Sequence, residues 1–521
     1  MEALRRGDRV TAQALARQLL LSRPDDPNAN QVLGVIALEA GDLAAARRHL
    51  ERAAQSAPTQ AHIVNTLGVA LRRSGDLDGA RKSFAQAGEL GLIDGWRNLG
   101  NLEEIEHNAD ASIAAYQRAL QLSAEDAASH GALAQAYERR HELDRARAHA
   151  ERALRADPRN ENARLALAQV LLREKNFAGA IGAAEPLAMN ANASLSNRSL
   201  AWGVSGDARD RLDDTAGAFA AFTASNRILL EQNRALLDAA HLIYHPAGLE
   251  RMRALAAEAD VSAWQAPPAA ETPVFLVGFP RSGTTLLDQV LSSHSGIVCI
   301  EEREHFAKAL GGVISDQQKL ADLGALETEE IEAVRADYWR RVRAEMSVPA
   351  GALVIDKLPL NIVVLPLIRR VYPDAKIIFA LRDPRDVVLS CFQQRFGMNA
   401  AMAQFLDLGA AAAYYDSVMR LMEVCRERLG LALHQVRYED VVADLETQAR
   451  GLAAFLGVPF EEAMLRYRET ALARDINTPS ARQVVQPLYT RSVARWRRYE
   501  NELRSVLPVL TPWAERFGYE T

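Results

Sequence analysis

Residues 278–285 read Gly-Phe-Pro-Arg-Ser-Gly-Thr-Thr and follow the apolar run Pro273-Val274-Phe275-Leu276-Val277. Gly278 and Gly283 have the spacing of a phosphate-binding loop between a strand and a helix. Such a loop turns successive backbone N–H groups inward, and the helix that follows adds the positive end of its dipole. A nucleoside-triphosphate loop has Lys after the second Gly, where it reaches the β- and γ-phosphates. This chain has Thr284 there, and a cation earlier, Arg281. The residue types suit a phosphate joined to another anionic group rather than a triphosphate with Mg²⁺. Further on, the apolar run Lys376-Ile377-Ile378-Phe379-Ala380-Leu381 leads into Arg382, then Asp383-Pro384, then Ser390. Asp383 and Pro384 make an N-cap and first-turn pair, so a helix is expected to start beside Arg382 with Ser390 two turns into it.

These two elements resemble the 5′-phosphosulfate loop and the 3′-phosphate grip of sulfotransferases that use 3′-phosphoadenosine 5′-phosphosulfate (PAPS). The resemblance covers about 270–520. It implies that Arg281, Ser282, Gly283, Thr284 and Thr285 cradle the 5′ end of PAPS, that Arg382 and Ser390 hold the 3′-phosphate, and that PAP is released without a required metal. Ile297-Val298-Cys299-Ile300 followed by Glu301-Glu302-Arg303-Glu304 is similar to a segment of tyrosylprotein sulfotransferases, which places the catalytic base on Glu302. That family has an Arg two residues beyond the base, where this chain has Glu304. Cytosolic small-molecule sulfotransferases use His instead, which brings in His294 and His305. The tyrosylprotein resemblance also assigns catalytic roles to Lys357, Arg281 and Ser480, and donor contacts to Tyr438 and Arg495. Asp356 is expected to orient or pair rather than react. Simpler roles compete: helix capping for Thr284 and Thr285, a solvated helix start for Glu301 and Glu304, and core packing for Trp496 in a helix opened by 491–499.

Different elements precede this half. Leu33-Gly34 recurs as Leu67-Gly68, Leu99-Gly100, Leu133-Ala134 and Leu167-Ala168. Twelve residues after each second member stands a small residue: Ala46, Ala80, Ser112, Ala146 and Ala180. Leu50, Phe84 and Tyr116 stand four further on. The pattern resembles the tetratricopeptide repeat, in which stacked helix pairs bury what one pair cannot. A degenerate last unit is expected over Gly206–Asn226, with Ala218 and Phe222 packing, and residues 1–24 read as only the second helix of a leading repeat. The expected fold is an all-α tetratricopeptide superhelix over 1–230, a helical connector and proline-rich linker over 231–272, and an α/β P-loop-like domain with a central parallel sheet over 273–521. Apolar runs at 274–277, 353–355, 376–381 and 434–438 supply the strands, and helix is expected to continue through 227–264.

The net charge of −6 provides no global basic field, so neither nucleic acid nor an anionic membrane is an expected partner. The three cysteines, Cys299, Cys391 and Cys425, form no metal-ligand or disulfide spacing. With no signal-peptide core at the N-terminus and no long apolar run, the expected location is the cytoplasm. The glutamate pair and the repeats together favour a protein or peptide tyrosine as acceptor, bound by the array. A carbohydrate or small metabolite, a non-catalytic scaffold with a nucleotide-binding domain, and a nucleotide kinase are the rival readings. The residues name neither the partner nor an oligomeric state.

Overall fold

The structure, a computed structural model, describes residue 3 and residues 6–264, 266–473 and 493–520. It divides into two compact units, Met1–Leu212 and Asp213–Thr521. In the first, the helix Arg9–Ser22 precedes pairs that begin with Pro27–Glu39 and Leu43–Ser56 and run to Glu161–Arg173 and Phe177–Ala188; Leu195–Arg211 follows. The repeat pattern has a steric cause. A Cβ at Gly34 would stand 2.5 Å from Leu50, one at Gly68 2.6 Å from Phe84, and one at Gly100 2.5 Å from Tyr116. The missing side chain of each first helix is the slot that receives the large residue of the second. Ala46, Ala80, Ala146 and Ala180 are fully buried where the helices meet. Between the helices of a pair, the chain turns through a left-handed residue. Gly41 and Gly75 fill it without strain, whereas His141 and Lys175 occupy the equivalent position at φ near 62°. Asp42, Asp76 and Asn176 then cap the second helix.

The second unit holds a five-stranded parallel sheet in the order β2-β3-β1-β4-β5. The strands are β1 (Val274–Gly278), β2 (Ile297–Glu301), β3 (Leu353–Lys357), β4 (Lys376–Leu381) and β5 (Ala432–Arg437). Side chains of β1 alternate between two cores. Val274 and Leu276 join Leu286, Leu287 and Val290 of the loop helix, while Phe275 and Val277 join Phe306, Tyr338 and Tyr372 on the other face. After β1 the chain builds the sheet on one side, as β2 and β3, then returns to the other side as β4. The carboxyl end of β1 is therefore the switch point where open α/β sheets leave a crevice.

Several expectations change. The unit boundary falls at Leu212, and Ala218 and Phe222 pack into the core of the second unit. The helix over 227–264 is interrupted: Thr215–Gln232 and Arg234–Leu237 end before a non-helical stretch, and Pro246 starts a new helix, Pro246–Glu258, at a position that needs no N–H donor. Tyr438 is the first residue of a helix, not the last of β5. Arg495–Tyr499 is a 3₁₀ turn rather than part of a longer helix. Among the described residues no helix is long and apolar enough to cross a membrane.

Candidate active site

The loop after β1 is shaped by two left-handed residues, Arg281 at φ 73° and Gly283 at φ 94°. A Cβ on Gly283 would meet the Tyr438 ring at 2.7 Å, and one on Gly278 would meet the Ala380 carbonyl at 2.6 Å. Glycine is thus required twice, once for conformation and once for the close approach of β1 to β4. Ser282 closes the loop by donating from both its N–H and its hydroxyl to the Phe279 carbonyl, at 3.1 and 2.7 Å. The helix Thr284–Ser292 starts at Gly283 with no side-chain cap, the kind of helix start at which N–H groups and the dipole favour an anion. Thr284 and Thr285 do not cap it; they are buried on its first turn and line the adjoining cleft.

The two anion-binding elements meet. Arg281 Nε donates to Ser390 Oγ at 3.0 Å, and Arg382 Nη1 donates to the Arg281 carbonyl at 3.2 Å. The Arg382 guanidinium stacks 5.0 Å from the centre of the Tyr438 ring, with Asp386 3.8 Å away one helical turn on. Asp386 also accepts the Trp496 N–H at 2.7 Å. Burial pushes its carboxyl up to about 6, against the pull of Arg382. Asp383, beyond capping the helix Pro384–Gln393, holds Arg385 through two hydrogen bonds of 3.0 and 2.8 Å. Arg385 in turn lies 4.0 Å over Trp496. Trp496 is therefore a buried platform for a structural arginine.

At the neighbouring strand ends, β2 and β3 run in register with Glu301 beside Lys357. Glu302 extends this pairing by donating its N–H to the Lys357 carbonyl at 2.8 Å, and it does so at φ 46°. A left-handed glutamate is an uncommon, costly conformation of the kind held at functional sites. It turns the carboxylate toward the Lys357 ammonium, 3.1 Å away; Glu301 lies 3.8 Å from the same nitrogen. Lys357 is completely buried, whereas Glu302 is 31% exposed. Asp356 pairs, as expected, by accepting from Tyr338 and Asn361, both at 3.1 Å; burial lifts its carboxyl to about 7.

A cleft of about 650 Å³, open to solvent, joins these parts. Arg281, Gly283, Thr284, Thr285, Glu302 and Glu304 line it together with Tyr244, Pro280, Leu358, Pro359, Leu360, Phe396, Asn399 and Met402. Of the remaining expected residues, Lys357 touches Glu302, Arg382 and Ser390 touch Arg281, Tyr438 lies against Gly283, and Ser282 stands between Arg281 and Gly283 in the loop. Arg495 does not line the cleft; its guanidinium lies 5.7 Å from the Tyr499 ring. Ser480 lies outside the described residues. His294 uses both ring nitrogens structurally, against the Pro459 carbonyl and the Gly296 N–H. His305 is buried against Glu345 at 3.5 Å, and burial lowers its basicity. Neither histidine lines the cleft. Tyr244, Phe396, Asn399 and Met402 were not foreseen. Tyr244 comes from a segment before the first motif and the other three from the stretch after Ser390, and only Asn399, which caps its own turn by accepting from the Ala401 and Met402 N–H groups, carries a local signal.

Residues 273–462 match the sulfotransferase family, and residues 37–90, 1–61 and 131–194 match tetratricopeptide repeats. The chain thus joins a tetratricopeptide array to a sulfotransferase-type domain. An uncharacterized protein of Aquifex aeolicus is 29% identical over 245 residues, 46% of this chain and 32% of that protein. Protein-tyrosine sulfotransferase 1 of Danio rerio is 25% identical over 259 residues, 47% of this chain and 72% of its own length. The chain spans about a third of the Aquifex relative. Among solved structures, pilF of Pseudomonas aeruginosa is 17% identical, with a TM-score of 0.34 over 38% of this chain and 90% of its own.

Proposed function

We propose that this chain is a sulfotransferase that moves a sulfuryl group from PAPS to a hydroxyl, with a tyrosine of a peptide or protein as acceptor. The observation that carries the reading is the meeting of Arg281, Ser390 and Arg382 at an uncapped helix N-terminus. Two guanidiniums, a hydroxyl and the N–H groups of a helix that has no side-chain cap, at one strand-end crevice, suit a ligand with two separate anionic groups. The donor supplies an activated sulfuryl group, and the protein supplies position and charge. The helix N-terminus and Arg281 would hold the 5′ end, and Arg382 and Ser390 the 3′-phosphate. Tyr438 fixes Arg382 from the other side. Glu302, exposed to the cleft, is placed to take the proton from an acceptor hydroxyl. The Lys357 ammonium behind it is a point charge suited to the oxygen that gains charge as sulfur transfers. Similarity to protein-tyrosine sulfotransferases and the capacity of tetratricopeptide arrays to hold peptides both support a polypeptide acceptor.

Calorimetric titration with PAP and with adenosine 5′-monophosphate tests the reading. Wild-type protein should prefer PAP. Arg382→Ala should weaken PAP by ~10–150-fold, as expected for a lost charge-assisted contact, and the monophosphate by much less. Equal losses for the two ligands would remove the 3′-phosphate from this site.

A further inference from the structure

The acceptor side of the cleft carries a charge pattern that the reaction itself does not require. Glu304 lines the cleft beyond Glu302, and its side chain forms no ion pair among the described residues. Of the cations nearest it in sequence, Arg303 pairs with Glu345 at 3.2 Å, and Lys308, one helical turn on, does not line the cleft. The buried Lys357 is taken up by Glu301 and Glu302. Tyr244 also lines the cleft, and its hydroxyl is buried with no hydrogen-bond partner among the described residues. The Glu304 charge reaches it, adding to burial in holding the phenol in its neutral form. Leu358, Leu360, Phe396 and Met402 supply apolar wall nearby. A carboxylate, a phenolic oxygen able to accept, and an apolar wall are the three surfaces that a lysine or arginine side chain satisfies at once. The cationic head donates to the two oxygens while the methylene stem lies on the wall.

We propose that Glu304 and Tyr244 recognise a basic residue next to the acceptor hydroxyl, so that the preferred acceptor is a tyrosine flanked by lysine or arginine. This rests on reading the cleft as a sulfotransferase site. An acidic neighbour would instead bring like charges together at Glu304 and Glu302, which disfavours it.

Three peptides that differ only in the residues flanking one tyrosine, Lys, Gln or Glu, test it on the full chain. Their binding is followed by fluorescence anisotropy with and without PAP, and their kcat/KM is measured with PAPS. The Lys peptide should bind ~10-fold more tightly than the Gln peptide, the effect of one partly screened charge pair, and the Glu peptide should bind worst. Glu304→Gln should reduce the Lys-to-Gln ratio to about twofold, and Glu304→Lys should reverse the order. Tyr244→Phe should weaken the Lys peptide ~3-fold or more, the scale of one lost hydrogen bond. A Glu peptide bound as well as the Lys peptide, or a preference that survives Glu304→Gln, would overturn the proposal. Charge-selective binding without sulfuryl transfer would instead overturn the catalytic reading and leave the recognition intact. Transfer without selectivity would do the reverse.

Discussion

Replacing Lys357 by Met keeps the length of the side chain and removes its charge from a fully buried position. The ammonium lies 3.1 Å from Glu302 and 3.8 Å from Glu301. At an effective dielectric constant near 20 those two contacts are worth about 4–5 kcal/mol each before desolvation is counted. Burying the ammonium offsets most of that, but removing one partner of a buried pair leaves the other charges uncompensated and costs about 3–5 kcal/mol. The exposure of Glu302 lets water screen part of the loss, so a deficit of about 2–4 kcal/mol is expected at pH 8. Urea unfolding at pH 8 measures the deficit. Under the catalytic reading kcat should also fall by ~10²–10³, the scale for losing a donor aimed at developing charge. A variant within about 0.5 kcal/mol of wild type at pH 8 and retaining full activity would refute the buried pair and its role, since breaking a buried pair costs about 3–5 kcal/mol.

Gly283→Ala must both adopt φ 94° and push its Cβ into Tyr438. It should lose about 2–4 kcal/mol of stability or shift the loop enough to abolish PAP binding; intact binding with an unchanged Tm would show that the loop is not held this way. Glu302→Gln should preserve PAP affinity and lower kcat by ~10² or more, with Glu301→Gln milder because Glu301 does not line the cleft; an unchanged rate for Glu302→Gln would move the base elsewhere. In the array, burial and then the charge of His130, whose Nδ1 lies 2.8 Å away, lower His149 to about 4. The unfolded chain takes up that proton near pH 6.5, so stability is present above 6.5 and is lost as the pH falls toward 4. The ring is only partly buried, which limits the loss to about 1–2 kcal/mol. Hydrogen exchange across Ala127–Ala156 should quicken over that window in wild type and not in His149→Gln; an equal response in both would assign it to other groups.

The parts of this molecule legible in its sequence are those where backbone geometry restricts residue choice. Gly278 and Gly283 could be read because a strand contact and a left-handed turn exclude a Cβ, and the repeats because Gly34, Gly68 and Gly100 must admit Leu50, Phe84 and Tyr116. The helix that carries Ser390 beside Arg382 was legible because Asp383-Pro384 fixes where it begins. What could not be read depends on strand order. Glu302 and Lys357 were separate candidates, 55 residues apart, and nothing local says that β2 and β3 are neighbours. Tyr244 reaches the cleft from a segment before the proline-rich stretch, and no periodicity marks it. The left-handed His141 and Lys175 were hidden for a related reason: the turn geometry is kept while the glycine that signals it is not.

The most direct test is transfer itself. Purified full-length protein, incubated with PAPS labelled in the sulfuryl group and a tyrosine-containing peptide, should produce PAP and labelled peptide in equal amounts, and as fast with a chelator as with Mg²⁺. Intact-peptide mass spectrometry should place the sulfuryl group on tyrosine, and Glu302→Gln should bind PAP but transfer little. PAP binding with no labelled product from tyrosine, carbohydrate or simple phenol acceptors would contradict the assignment of this site to sulfuryl transfer.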